Sequence, residues 1–464
     1  MRPLEYLLIG LTLLSTLVAL TVPAARKALI GLCVLTLGIL VLHATFEGVH
    51  WQMAPAYAAV LLTIALLVAK KRLPRYLAVV SIVLLAITSC ALSVYLPIFQ
   101  LPAPTGPYAI GTEIIPLINP HPSDPSFAQP SGSRPLVVQV WYPAGPSKAP
   151  RAPYRIFAET TALSSYQTAV PTHTRWGAPF PANAGAFPVL LLNPAYQGRR
   201  TYYMYLVEDL VSHGYIVAGV DHPGITGPIA LADGPVSNPP PDPKFNFDVL
   251  SLPELRIRGA ELQAIQVDDD RFVVDQMERW NQDSSNFFFH HLDTDRVAAL
   301  GHSIGGSVAA EDCLDDPRFK AALDMDGSFW GPVLHAGIAT PLMMIEEDYA
   351  PHTPEEIKND RAALFDYTFD SEDDVMMSKS NGYQIFLHGS SHVSFTDRGL
   401  FSPFRHYSGQ GTIPALREYT IIRSYALAFF NKTLKGVDSP LLSPDAHTYP
   451  EATLRVLHRP AAQQ

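Results

Sequence analysis

The run Arg296-Val297-Ala298-Ala299-Leu300-Gly301-His302-Ser303-Ile304-Gly305-Gly306-Ser307-Val308-Ala309-Ala310 decides the fold. It opens on a short apolar strand, closes on a helix-compatible stretch, and places the pattern G-x-S-x-G between them. A chain that passes from strand to helix in so few residues makes a sharp, strained turn. Side chains flanking Ser303 would clash there, so glycine is needed, and the serine hydroxyl is pushed to the top of the sheet.

Outward from this turn, short apolar runs recur near residues 136–143, 189–193, 216–221, 297–301, 321–325, 342–346 and 383–388. Helical patterns fill 202–213, 253–280, 304–314 and 413–432. The alternation predicts a mainly parallel sheet with helices on both faces, an α/β architecture whose active sites lie at the carboxyl ends of strands. With the serine turn it predicts an α/β-hydrolase fold.

An alcohol is a weak nucleophile at neutral pH, so Ser303 needs a histidine base and an acid to orient that base, in the chain order Ser, Asp/Glu, His. After the next strand come Asp324 and Asp326, and His392 sits in a loop two strands later. Alternation along a strand puts Asp324 and Asp326 on the same face, so both stay open as the acid. His388, His302 and His222 read as packed or structural residues. Residues 351–380, acidic and carrying Phe365, Tyr367 and Phe369, read either as a lid or as a solvated insertion.

The first 99 residues differ in composition, with almost no acids and four apolar segments near 4–22, 28–46, 53–69 and 76–98. A membrane-spanning helix needs about 20 apolar residues, so a bundle of about four transmembrane helices is expected ahead of the hydrolase fold. Arg26 and Lys27 follow the first segment, and Lys70, Lys71, Arg72 and Arg75 follow the third, whereas the loop between the second and third has no Lys or Arg. Basic loops stay cytoplasmic, which predicts an extracytoplasmic catalytic domain. His43, Glu47 and His50 are metal-ligand types, yet the sequence offers them no further partner, and ligands need a closed set. A proline-rich linker over 100–110 leads to a catalytic domain over 111–464.

The net charge of −10 belongs to the second part and comes with no basic patch, which argues against nucleic acid as a partner. Of three cysteines only Cys313 lies in that part, which excludes an internal disulfide there and a Cys₄ or Cys/His zinc site.

From Val137 to about residue 432 the chain resembles the plasma and type II platelet-activating factor acetylhydrolases. The resemblance is carried by Val140-Trp141-Tyr142-Pro143, by Asp209-Leu210-Val211-Ser212-His213-Gly214-Tyr215-Ile216-Val217-Ala218, by Gly301 to Gly306, by Asp316-Pro317-Arg318-Phe319 and by Gly389-Ser390-Ser391-His392. It implies Ser303 as nucleophile, His392 as base and Asp326 as acid, with backbone N–H groups of Ile304 and Tyr196 as oxyanion donors. It also implies hydrolysis of short-acyl phospholipids or related lipid esters, with no cofactor and no metal. The chain departs from the family at Asn193-Pro194-Ala195-Tyr196, where proline replaces a donor-bearing residue before the proposed oxyanion loop. The same triad serves a general or polyester esterase or an acyltransferase, and a non-catalytic membrane receptor could keep the fold alone.

Overall fold

A computed structural model describes residues 1–21, 26–68, 75–123, 132–231, 236–237, 249–347 and 351–459. The chain divides into two compact units. The first comprises Met1–Gln100, Pro153–Thr172 and Gly399–Ser408, and the second the remainder.

The first unit is built on helices α1 (Pro3–Thr21), α2 (Arg26–Leu42), α3 (Ala54–Val68) and α4 (Arg75–Tyr95). A π-helical turn, His43–Glu47, extends α2. Pro3–Thr21, Lys27–Glu47 and Tyr76–Tyr95 are long and apolar enough to cross a membrane, whereas the remaining apolar helix, Trp51–Leu66, is shorter than the other three. Leu8, Ile9, Met53, Ala56, Val60 and Ala86 form its core, while Leu17, Val34, Val41, Leu61 and Ile87 point outward. Exposed aliphatic side chains all along a helix are costly in water and ordinary in lipid. Lys70, Lys71 and Arg72 lie outside the described residues, as do the side chains of Arg26 and Arg75.

The second unit holds a mixed sheet of β1 (Ala109–Asn119), β2 (Arg134–Ala144), β3 (Arg151–Pro153), β4 (Pro171–Trp176), β5 (Phe187–Asn193), β6 (Ile216–Asp221), β9 (Leu292–His302), β10 (Phe319–Met325), β11 (Leu342–Glu347), β12 (Gly382–Leu387) and β13 (Ala452–Leu457). The labels β7 and β8 go to a separate short hairpin, Ile229–Ala230 with Val236–Ser237. The sheet order is β13-β12-β11-β10-β9-β5-β6-β2-β1-β4-β3. From β12 to β6 the neighbours run parallel, and antiparallel pairs flank that centre at β13 and β2. All seven strands read from apolar runs are present. The sheet is nevertheless more mixed than expected, because β1, β4 and β13 interleave exposed or polar residues and so lack a continuous apolar run.

Val189, Leu191, Ala299, Ala322 and Met344 enter one core with Val273, Val274 and Met277 of α6 (Leu252–Gln282) and Ala309 and Ala310 of α7 (Ile304–Asp315). The intervening Leu190, Leu192, Leu300 and Leu323 are equally buried on the opposite side. There α5 (Met204–Ser212) and α11 (Ala415–Lys435) pack on each other and on the strands. Part of the proline-rich stretch read as a linker is held by hydrogen bonds within this unit. Thr105 N–H and Oγ1 donate to Asp209 Oδ1 at 2.8 and 2.9 Å, and Arg423 donates to Ala103 O at 3.1 Å.

Candidate active site

Ser303 follows the last residue of β9 and precedes the first residue of α7, at φ 58° and ψ −129°. That conformation is strained for a residue with a side chain, and the surroundings fix it. A Cβ added at Gly301 would meet Gly305 O at 1.9 Å, and one at Gly305 would meet Asn193 O at 2.2 Å, so the pattern's glycines are demanded by contact as well as by the turn. Ser303 N–H donates to Met325 O at 3.0 Å, which locks the turn to the end of β10.

Strand β10 ends at Met325, and Asp326 leaves it at φ 57°. Its Oδ1 accepts from Glu347 N–H at 2.6 Å, and its Oδ2 lies 2.6 Å from His392 Nδ1. His392 opens a 3₁₀ turn, His392–Phe395, after β12. A carboxylate only accepts, so Nδ1 carries the proton and Nε2 of the neutral ring is the acceptor, the tautomer a general base requires. Burial lowers the basicity of His392, but the hydrogen bond and charge of Asp326 outweigh it and hold its pKa above the ordinary value.

Alternation along the strand does not extend to Asp326, because the backbone turns left-handed there. The two acids therefore diverge. Asp324 is fully buried and accepts from Gly327 N–H at 2.9 Å. A Cβ at Gly306 would lie 1.7 Å from its Oδ1, so it sits beneath the serine turn, away from the histidine. Burial, with Asp373 and Asp326 nearby, pushes its pKa well above the usual carboxylate range. The structure joins Asp326, and not Asp324, to His392.

His302 has a role the sequence hid. Its Nε2–H donates to His392 O at 2.8 Å, and the two rings lie 4.7 Å apart. Nδ1 then accepts from Tyr203 OH at 3.2 Å, and that hydroxyl accepts from Ala195 N–H at 3.1 Å. Burial holds His302 well below its ordinary pKa, so the ring is neutral as this chain of bonds needs. One buried tyrosine thus links the loop after β5 to the histidine next to Ser303. A cue was present in the sequence, since a histidine inside the G-x-S-x-G turn has few directions in which to point.

The N–H groups on either side of Tyr196 are engaged, Ala195 with Tyr203 OH and Gln197 with Ile225 O at 2.9 Å. The loop begins at Asn193, whose Nδ2 donates to Asp270 Oδ2 at 2.6 Å and whose Oδ1 lies 3.1 Å from His222 Nε2. His222 reaches Asp269, and Asp269 takes a bidentate bond from buried Arg134. This buried polar chain anchors a loop that proline alone would leave short of a donor. Ile304, the first residue of α7, packs with Ile225, Leu255, Trp330, Phe365 and Phe369, and Tyr196 lies against the same cluster.

Phe365 and Phe369 come from α10 (Arg361–Ser378), which follows α8 (Val333–Ala336) and α9 (Pro354–Asn359). Tyr367 is exposed, so the acidic segment is a two-faced helix whose apolar side covers Ile304. Arg256 lies 4.2 Å over the Phe369 ring and pairs with Glu372. His388 bonds Thr453 on the neighbouring strand. Asp326, Glu347 and His392 present ligand-type atoms within 4.8 Å, but Asp326 has both oxygens engaged by N–H donors, the arrangement of an orienting acid.

The sequence profile of the family described as platelet-activating factor acetylhydrolase, isoform II, matches residues 270–439. A probable 1-alkyl-2-acetylglycerophosphocholine esterase of Arthroderma benhamiae is 24% identical over 288 residues, 57% of this chain and 65% of that protein. The platelet-activating factor acetylhydrolase of Cavia porcellus is 23% identical over 279 residues, 54% of this chain and 61% of that protein. The matches thus span less than two thirds of these relatives' own length. Among solved structures, a ferulic acid esterase from Streptomyces cinnamoneus superposes with a TM-score of 0.59 at 28% identity, covering 77% of this chain and 99% of that one. The resemblance read from the sequence is borne out: this chain is similar to the platelet-activating factor acetylhydrolases.

Proposed function

We propose that this chain is a membrane-anchored carboxylic ester hydrolase that cleaves short-acyl phospholipids or related lipid esters through an acyl-enzyme on Ser303. The observation that carries the reading is the 2.6 Å bond between Asp326 Oδ2 and His392 Nδ1 beside a strained serine turn. In this reading His392 Nε2 takes the Ser303 proton as Oγ attacks the ester carbonyl. Ile304 N–H and Tyr196 N–H receive the oxyanion, and the same histidine protonates the leaving alkoxide. Water then repeats the sequence on the acyl-enzyme. The named activities of the acetylhydrolase relatives and the esterase neighbour support the reaction class.

Residues 1–99 serve as the membrane anchor in this reading and 111–464 as the catalytic domain, placed on the extracytoplasmic side by the basic loops. Anchoring favours lipid esters as clients. A Ser303→Ala protein should lose both fluorophosphonate labelling and hydrolysis of p-nitrophenyl acetate, and full retention of either refutes the nucleophile. A series of glycerophosphocholine esters with sn-2 chains from C2 to C16 should be turned over best from acetyl to butyryl. Rates that hold level or rise toward C16 contradict the short-acyl reading. A reporter fused after residue 464 should be active only outside the cytoplasm.

A further inference from the structure

Helix α5 follows the 3₁₀ turn Arg200–Tyr203 that ends the loop carrying Tyr196. The first N–H groups of a helix have no partner within it, and a serine, threonine, aspartate or asparagine at the preceding position commonly supplies one. Here that position is Tyr203, whose side chain makes no cap and is engaged by Ala195 N–H and His302. The acceptor comes from elsewhere in the chain. Asp397, fully buried, takes Met204 N–H on Oδ2 at 2.8 Å and Tyr205 N–H on Oδ1 at 3.1 Å. A carboxylate at that place also faces the positive end of the helix.

Asp397 lies five residues after His392, in the 3₁₀ turn that follows the one His392 opens. The residues between them are held as firmly. Tyr205 OH donates to Phe395 O at 3.1 Å, and Tyr419 OH of α11 donates to Thr396 O at 2.8 Å. The two tyrosine rings are buried and stack with centroids 4.1 Å apart. The backbone of Phe395 and Thr396 and the side chain of Asp397 are therefore fixed against the same two helices.

These bonds close a ring. From His392 O the path runs through His302 to Tyr203 OH, which also accepts from Ala195 N–H beside Tyr196. It passes along the backbone to Met204 and Tyr205, crosses to Asp397, and returns through the turn to His392. The loop bearing the base and the loop bearing the proposed oxyanion donor thus meet at the first turn of α5. We propose that, given the Ser303–His392 chemistry inferred above, Asp397 is a positioning residue for that reaction: by gripping both N–H groups it fixes the distance between His392 and the oxyanion loop. It touches no reacting atom. A displacement of about 1 Å in such a site costs on the order of 100-fold in rate. The carboxylate is required, since asparagine offers one oxygen to two N–H groups and sets its NH₂ against the other.

The test compares the full chain in detergent with Asp397→Asn, Tyr203→Phe and the double variant. Hydrolysis of p-nitrophenyl acetate is measured, with kcat expressed per Ser303 labelled to completion by a fluorophosphonate. Asp397→Asn should lower kcat about 10- to 100-fold with KM held within about threefold, because binding is kept and alignment is lost. The double variant should fall little below the more damaged single one, since both substitutions open the same ring. Asp397→Ser, smaller and retaining one acceptor, is read in the same way if the asparagine variant fails to fold. A cap that only stabilises lowers the melting temperature and leaves kcat per labelled site within about threefold of the unmutated chain, and that result overturns the proposal. So do losses that multiply in the double variant. Neither result touches the nucleophile, whereas hydrolysis that persists in Ser303→Ala refutes the catalytic reading and this proposal with it.

Discussion

Replacing Asp326 by Asn tests the catalytic reading most sharply, because the surroundings dictate how the amide must sit. Asp326 accepts from two N–H groups, Glu347 N–H and His392 Nδ1–H, both at 2.6 Å. Asn has one oxygen and one NH₂. With its oxygen on Glu347 N–H, which cannot move without disturbing β11, the NH₂ faces His392 Nδ1. That nitrogen must then accept, the ring proton moves to Nε2, and the base has no lone pair for the serine proton. The opposite orientation sets NH₂ against the Glu347 N–H. Loss of the tautomer costs on the order of 10⁴ in kcat, about 5 kcal/mol of transition-state stabilisation. Asp324→Asn is the internal control. Burial pushes the Asp324 carboxyl well above the usual carboxylate range, the amide has nearly the same shape, and the accepting bond from Gly327 N–H survives. A loss of less than about tenfold is expected, since no reacting group depends on it. Steady-state hydrolysis of p-nitrophenyl acetate, with melting temperatures to establish folding, measures both. Equal losses, or a larger loss for Asp324→Asn, would refute the assignment.

The raised pKa of His392 predicts that kcat/KM climbs with pH as the base loses its proton, with a midpoint above about 6.5, and a midpoint at or below that value contradicts the pairing with Asp326. For stability the sign is opposite: the pairing contributes fully below the unfolded histidine value and is lost as pH rises through the folded one. Tyr203→Phe removes the acceptor of Ala195 N–H and the donor to His302, and should lower kcat by about 10- to 100-fold through misplacement of the loop and the base. Unchanged kinetics would show that this tyrosine only packs. Phe369→Ala opens space beside Ile304 and should shift the sn-2 preference toward longer acyl chains, each accommodated methylene contributing about 0.8 kcal/mol. An unaltered chain-length profile would place the acyl group elsewhere.

The sequence disclosed the centre of the sheet and concealed its margins for one reason. Strands buried on both faces, such as Phe187–Asn193 and Ile216–Asp221, are unbroken apolar runs, whereas Ala109–Asn119 and Ala452–Leu457 pair at the sheet's flanks with polar residues interleaved. The acidic helix Arg361–Ser378 was ambiguous because its charged residues hide a buried face of Phe365, Phe369 and Met376. Ser303 and His392 were legible because their geometry is local, a turn in one case and a loop after a strand in the other. Strand alternation left Asp324 and Asp326 both open, since the choice depends on where the strand ends, and only the family resemblance pointed to Asp326.

The same distinction explains why the helical unit was read as an anchor and nothing more. His43, Glu47 and His50 lie within eight positions of one another, and sequence alone gave them no fourth donor. Glu5 is 38 residues before His43, on a helix whose apolar composition proclaims a membrane span. Hydropathy averages over such a residue, whereas the physical cost of burying it does not average. A single carboxylate in the first turn of α1 is tolerated because Arg2, His50 and the Arg2 backbone N–H meet it. The partners of a buried acid can therefore lie far from it in sequence: those of Glu5 are Arg2, three residues before it, and His50, 45 residues on.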